Sequence, residues 1–418
     1  MTSNQFKYDL LLILPVPFLL ENDRIFFESQ ACLGLSQWVK NFNRVVVACP
    51  VVPKELEKKY HSTIWKPVDE IDFKGTVKFI PLPWAYTIPS YTRNYFSTKS
   101  LLKQLIQESE ILHFSPFGLI GDWASLGAQI SLKLKRKYSL HFDWIIHQVF
   151  NGNYRSKPII KQLYGKIICP LMKLYNTYFV KHSTIVLCNG KDTHQFYSKF
   201  NKNSFLIHDI HTNQNHLINP AEIKEKINNL NHNTPLKLIY TGRMSEMKGP
   251  MDWIQAIHIA HKQGALIEAF WYGEGPMRTK MEKQIHRLHL QNIIHLCGFL
   301  DNLEDVLSEI KKADLFLMTH LTPESPRCIK ESLVSGTPIL GYWSQFAEDV
   351  IQNNQGGYLT QKNNIEQLGE KIAEIAANRK VLKPLITQAA KLGERFTEDQ
   401  VFLERSHILK KHLNTSAT

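Results

Sequence analysis

Short apolar runs rich in β-branched and aromatic residues alternate with helix-length segments along most of the chain, and this rhythm occurs twice. The first series of runs comprises Asp9 to Leu14, Arg44 to Ala48, Val77 to Ile80, Ile111 to Phe114, Tyr138 to Phe142, Thr184 to Cys188 and Phe205 to His208. Strands separated by such segments call for crossover connections, so the pattern predicts βαβ units around a parallel sheet. The polar stretch Asn228 to Pro235 breaks the rhythm, as an interdomain linker would. It resumes with Leu236 to Tyr240, Leu266 to Tyr272, Ile293 to Cys297, Leu315 to Met318 and Pro338 to Gly341, and three helices are expected near Ile365 to Ala377, Val381 to Gly393 and Glu398 to His412. The fold class is α/β with two doubly wound domains, expected at 1–228 and 236–396, a linker at 229–235 and a final helical segment at 397–418.

A chain of 418 residues, 43% hydrophobic and 21% charged, can bury two full cores and is not disordered. The six cysteines form no CxxC pair, which fits a reducing, cytoplasmic setting. The apolar run Leu10 to Leu20 is too short to span a bilayer. The net charge of +12 is concentrated: Ser131 to Lys202 holds thirteen Lys or Arg against two Asp. Such a block suits an anionic partner, although a solvated helix face is the plainer account. Within it, Ser156 to His182 interleaves lysines with Ile, Leu, Tyr and Phe. That pattern fits peripheral attachment at the cytoplasmic membrane face, or equally a helix packed on its own sheet with snorkelling lysines. The aromatic stretch Pro81 to Phe96 is expected as an extra loop that could touch an amphipathic acceptor. Nucleic acid is not an expected partner, because no RRM, KH or helix-turn-helix signature is present.

Three segments carry the chemistry. Thr241 to Pro250 (TGRMSEMKGP) follows an apolar strand and leads into a helix with Pro250 in its first turn, so backbone N–H groups, the helix dipole, Arg243 and Lys248 converge on an anion site. Trp271 to Met281 again ends a strand in a Gly-rich turn, Gly273 to Pro276, where backbone can approach a ligand closely. Thr319 to Tyr342 places Glu324 in a loop and Glu331 in the helix that follows. The plainer readings are a surface loop with incidental cations, an acid at a helix start and a solvated helix face. All three loops leave the carboxyl edge of one sheet, where open α/β folds bind ligands. The dinucleotide GxGxxG and the GK[ST] P-loop are both absent, which sets aside nicotinamide dehydrogenases and P-loop kinases.

From Leu236 to Leu359 the ordered motifs GRMSEMKGP, YGEGPMR, HLCGFL and ESPRCIKESLVSGTPIL resemble the retaining nucleotide-sugar glycosyltransferases of group 1 (family 4-like). The resemblance implies a GT-B fold, with two Rossmann-like domains facing a cleft and a C-terminal helix, Glu398 to His412, returning to the N-terminal domain. It implies that Arg243 and Lys248 bind the donor diphosphate beside Gly242, that Glu331 holds the ribose hydroxyls, and that Glu324, Ser325, Arg327 and Cys328 face the donor sugar. Phe299 and Leu300 would lie near the base, with Gly273, Gly275 and Pro276 bordering the nucleotide pocket. The implied activity is transfer of a sugar, with retention, to an acceptor hydroxyl on a lipid-linked or saccharide intermediate, with no metal or other cofactor. Six residues separate Glu324 from Glu331 where the family usually has seven, and Pro15-Val16-Pro17-Phe18 stands where members often carry a Gly-rich loop. Those departures keep open a catalytically silent nucleotide-sugar-binding or membrane-associated scaffold.

For the acceptor side the candidates are His113, Asp122, Asp143 and His147, with His113 placed foremost as a catalytic group. Structural histidines are the commoner case. His194, His208, His211 and His216 invite a metal reading, but without HExxH or Cys/His spacing no metal is expected.

Overall fold

The computed structural model describes residues 6–60, 63–73, 75–155, 158–231, 233–322, 325–352 and 355–414. The chain forms two compact units, Met1–His211 with Glu398–Thr418, and Thr212–Thr397.

The first unit contains β1 (Tyr8–Ile13), β2 (Phe18–Glu21), β3 (Arg24–Glu28), β4 (Arg44–Pro50), β5 (Trp65–Pro67), β6 (Thr76–Leu82), β7 (Ser109–Phe114), β8 (Ser139–Phe142), β9 (Ile185–Asn189) and β10 (Ser204–Ile207). Its helices are α1 (Ser29–Asn41), α2 (Ile88–Glu108), α3 (Trp123–Lys133), α4 (Ile146–Arg155), α5 (Ile159–His182) and α6 (Lys191–Tyr197). Seven strands build a parallel sheet in the order β10-β9-β8-β7-β1-β4-β6, so the seven sequence-expected runs all lie in one sheet. Alternate residues of β1 serve opposite faces: Leu11 and Ile13 pack with residues of α2 and α3, while Leu10 and Leu12 pack with Trp38, Val45 and Phe402. Each such fully buried aliphatic side chain contributes about 1.5–3 kcal/mol relative to exposure.

A small sheet, β2-β3-β5, was not expected. β2 and β3 are joined by Asn22 and Asp23, both at positive φ (49° and 62°), with Glu21 paired to Arg24. That is the geometry of a two-residue hairpin turn, which Asn and Asp tolerate better than most side chains. The expected loop at Pro81–Phe96 is also corrected. Leu82 ends β6, and α2 opens at Ile88, with the Thr87 side chain accepting from the Ser90 N–H and Pro89 in the first turn.

The second unit contains α7 (Pro220–Asn228), β11 (Leu236–Thr241), α8 (Pro250–Lys262), β12 (Ile267–Tyr272), α9 (Arg278–Arg287), β13 (Ile294–Gly298), α10 (Leu303–Lys312), β14 (Leu315–Met318), α11 (Arg327–Val334), β15 (Ile339–Tyr342), α12 (Gln345–Ile351), β16 (Gly357–Thr360), α13 (Ile365–Ala377) and α14 (Leu382–Gly393). Its parallel sheet runs β13-β12-β11-β14-β15-β16. The expected linker at 229–235 is instead interior to this unit, and the division falls between His211 and Thr212. The reason is polar anchoring before and within the stretch. The Ile218 N–H donates to the Val334 carbonyl (2.9 Å), Lys226 Nζ donates to the Thr337 hydroxyl (2.6 Å), and the buried Arg379 donates to the Thr234 carbonyl (3.0 Å).

The last helix, α15 (Glu398–Leu413), belongs to the first unit. Phe402 meets Trp38 edge-on at 5.2 Å, and Lys410 Nζ donates to the Asn41 carbonyl (2.7 Å).

Candidate active site

In the second sheet, β11, β12 and β13 step one way and β14, β15 and β16 the other, so the strand order reverses between β11 and β14. Diverging connections at such a point open a crevice beyond the carboxyl ends of those strands. The segments leaving β11 and β14 are 242–249 and 319–326, two of the three singled out from the sequence.

Backbone approach builds this crevice. Gly249 sits in the left-handed region (φ 64°) as the residue before α8, and a Cβ there would fall 2.0 Å from the Thr319 carbonyl oxygen. Only glycine combines that turn with that contact. The Thr319 hydroxyl donates to the Lys248 and Gly249 carbonyls (3.1 and 2.9 Å), and the Leu321 N–H donates to the Met247 carbonyl (2.8 Å). On the other side Gly273 (φ 140°) lets its turn press on the Gly242 carbonyl, 2.2 Å from where a Cβ would lie, and the Met244 N–H donates to the Glu274 carbonyl (2.9 Å). Beneath, the buried Tyr240 hydroxyl and His320 Nε2 are 2.7 Å apart.

Two helices begin here. α8 starts at Pro250 after Gly249, and α11 starts at Arg327 after Pro326; neither has a side-chain cap. Leading N–H groups and the dipole of such helix starts favour an anion. Arg243 is exposed and Lys248 half-buried in the same loop, while Glu331 is partly buried in the second turn of α11. Ser325 and Arg327 are partly exposed and Cys328 is buried, at the head of α11. Gly273, Gly275 and Pro276 form the turn after β12; Gly298 pairs with Gly273 at an isolated bridge, which puts the exposed Phe299 and the partly exposed Leu300 next to that turn. Glu324 lies outside the described residues.

The first unit repeats the logic with other materials. Its strand order reverses between β1 and β7. A cavity of about 300 Å³ opens there, lined by Pro15, Val16 and Pro17 after β1, Ser115 and Phe117 after β7, His141 at the end of β8, and Asp143 and Trp144 just beyond. Glu28, Tyr60 and Trp65 come from the small sheet and its connection. Aromatic walls with a few converging polar groups are what a small polar ligand with apolar faces requires. His141 Nε2 lies 3.2 Å from Asp143 Oδ1. Desolvation pushes the Asp143 carboxyl up, but attraction and hydrogen bonding to His141 outweigh it and hold the carboxyl below its ordinary value.

Of the acceptor-side candidates, only Asp143 lines this cavity. His113 is buried in β7, with Nδ1 2.8 Å from the Ser139 hydroxyl and its ring against Trp38 and His141. Burial, reinforced by His141 and Arg405, drives its pKa well below the usual imidazole value, so it is a neutral packing group there. Asp122 caps α3, accepting from the Ala124 and Ser125 N–H groups and the Ser125 hydroxyl. His147 lies in α4 with its ring on Phe196. His141, which opens the same HFDWIIH segment as Asp143 and His147, is the residue that sequence reasoning passed over. Its position at the carboxyl end of a strand was the available signal.

The other histidines are engaged separately: His194 with the Ser204 carbonyl (3.0 Å), His211 with Glu398 (3.0 Å) and His216 with the Asn213 N–H (3.0 Å). Among the described residues no three His, Cys, Asp or Glu side chains are grouped to hold a metal ion.

Residues 222–392, which span this crevice, match the family model of glycosyl transferases group 1. The second unit is a group 1 glycosyl transferase domain. The poly(glycerol-phosphate) alpha-glucosyltransferase of Bacillus subtilis is 24% identical to the chain over 272 residues, covering 63% of this chain and 37% of that protein. The amylovoran biosynthesis glycosyltransferase AmsK of Erwinia amylovora is 23% identical over 201 residues, 46% of this chain and 49% of that one. The matches thus take in between about a third and a half of the length of these relatives. In fold, the chain is similar to HepE of Anabaena, crystallised in complex with UDP: TM-score 0.65 at 14% identity, over 96% of this chain and 100% of that one. The glycosyl transferase domain and the first unit together have the two Rossmann-like domains of the GT-B fold.

Proposed function

We propose that the chain is a retaining glycosyltransferase that moves a sugar from a nucleoside diphosphate sugar to an acceptor hydroxyl in polysaccharide or glycolipid biosynthesis. The observation that carries this reading is the convergence of two uncapped helix starts with Arg243 and Lys248 at one switch point. A departing diphosphate develops negative charge, and preorganised N–H groups and cations stabilise such charge without rearranging. The bond from the anomeric carbon to the diphosphate oxygen breaks as the acceptor oxygen bonds to the same face. The acceptor's proton passes to the departing phosphate oxygen, so no protein nucleophile is required. In this reading the positive charge comes from the chain itself and no metal is used.

Glu331 accepts from the ribose hydroxyls, Phe299 and Leu300 flank the base, and Ser325, Arg327 and Cys328 border the donor sugar. The cavity of the first unit takes the acceptor, with His141 and Asp143 as hydrogen-bonding partners for its hydroxyls. The names of the Bacillus and Erwinia relatives support a polymer or polymer precursor as acceptor, and the UDP bound to HepE makes UDP-sugars the first donors to try.

The test is thermal unfolding of the wild type and Glu331→Ala with UDP-, GDP-, ADP- and TDP-sugars. A ligand that binds only the native state raises apparent stability. One selective shift in the wild type that the substitution abolishes is expected. The absence of any shift at millimolar nucleotide would sink the donor site.

A further inference from the structure

α5 has two apolar faces. Cys169, Met172, Phe179 and Val180 are buried, as a helix covering a sheet requires. On the opposite side Ile160, Leu163, Ile167, Leu171, Leu174 and Tyr178 are exposed, with Ile160 at 78%, Ile167 at 65% and Leu174 at 67% of full exposure. Steps of three and four residues align them in one stripe, about 27 Å long at 1.5 Å per residue. Soluble surfaces rarely leave so continuous an apolar strip uncovered.

Charge names the occupant. Lys161 lies along one flank of the stripe and Lys166 and Lys173 along the other, all exposed, with Lys181 at the C-terminal end. Between Asp143 and Asp192 the chain has no Asp or Glu at all. A second copy of the helix would set lysines against lysines, whereas an anionic surface would neutralise both flanks at once. No described helix is long and apolar enough to cross a membrane.

We infer that this face of α5 docks on an anionic lipid bilayer, with the helix in the interfacial plane, its stripe at the headgroup–acyl boundary and its lysines on lipid phosphates. The inference stands apart from the sugar-transfer reading, since it uses none of the residues of either switch point.

Flotation of the full chain with vesicles of phosphatidylcholine, alone or mixed with phosphatidylglycerol, tests it. The wild type should float at least about tenfold more with the anionic vesicles, less so at high salt. Ile167→Ser/Leu171→Ser/Leu174→Ser should lose at least about tenfold of that binding while its melting temperature and its stabilisation by nucleotide stay as in the wild type. Lys166→Glu/Lys173→Glu should lose the preference for anionic lipid. Equal flotation with both vesicles, or a triple variant that floats like the wild type, would overturn the inference. So would a dimer in sedimentation velocity that the triple variant dissolves while neither protein floats, which would assign the stripe to a second copy. A nucleotide shift without flotation defeats this inference alone and leaves the donor site standing; flotation without a shift does the reverse.

Discussion

The two switch points of the molecule solve one topological problem with different materials. In the second unit the crevice is made of backbone: glycines that allow loops to touch, and helix starts that present N–H groups. In the first unit it is a cavity made of side chains contributed by segments as far apart as Pro15 and Trp144. A backbone-built site demands particular small residues in a fixed local order, whereas a side-chain-built site demands only that distant residues meet. The first kind leaves a motif and the second leaves almost none.

The largest effect expected to test this contrast comes from charge. Arg243→Ala and Lys248→Ala should each lower turnover by about 100- to 1,000-fold with an unchanged melting temperature, the scale set by removing a preorganised charge-stabilising donor. Turnover equal to wild type in both would end the diphosphate assignment.

Next is the backbone itself. Gly249→Val places a side chain 2.0 Å from the Thr319 carbonyl at positive φ, and should cost at least about 2 kcal/mol of stability along with the nucleotide-induced shift. A stable Gly249→Val protein that still responds to nucleotide would show that the crevice is not held by close backbone approach.

The cavity of the first unit should be more forgiving. His141→Gln is expected to reduce turnover about tenfold or more and to leave donor stabilisation intact, because the helix starts and cations of the donor crevice all belong to the other unit. If His141→Gln instead abolished the nucleotide shift, the division of labour between the two switch points would fall.

The smallest effect concerns pH. His113 has a folded pKa below its ordinary value, so its contribution to stability is complete above about pH 6.5 and is lost as pH falls, because the unfolded chain takes up the proton first. Below that point the wild type should lose up to about 1.4 kcal/mol per pH unit from this residue, and His113→Phe should flatten that part of the curve in denaturant titrations. An unchanged slope would show that burial does not hold His113 neutral.

The same contrast explains what was legible in advance. All seven strands of the first sheet and five of the second's six showed as apolar runs, since a strand buried on both faces needs an unbroken one. β16 escaped because Gly357–Thr360 is short and only partly apolar, and the hairpin β2–β3 because most of β2 was absorbed into the apolar run Leu10 to Leu20 and the turn pair Asn22-Asp23 just beyond it was not read as a turn. The linker was misplaced for a tertiary reason: 229–235 is polar, as linkers are, but Thr337 and Arg379, far along the chain, tether Lys226 just before it and Thr234 within it to the second unit. Arg243, Lys248 and Glu331 stood out because their neighbours are glycines and prolines in strand-to-helix turns. His141 did not, because its one signal, a place near the carboxyl end of an expected strand, is shared by every residue that ends a strand and carries no glycine or proline pattern beside it.

The return of α15 to the first unit has a consequence for biosynthesis. Phe402, Leu409 and Leu413 complete a core begun by Leu10 and Leu12, yet some 390 residues of translation separate the two ends of that core. Until α15 emerges, Trp38 of α1 lacks the edge-on contact of Phe402, while the last residue of the second unit, Thr397, has already been added. Vectorial synthesis therefore keeps the first unit one helix short of its full core until the whole of the second unit has been made.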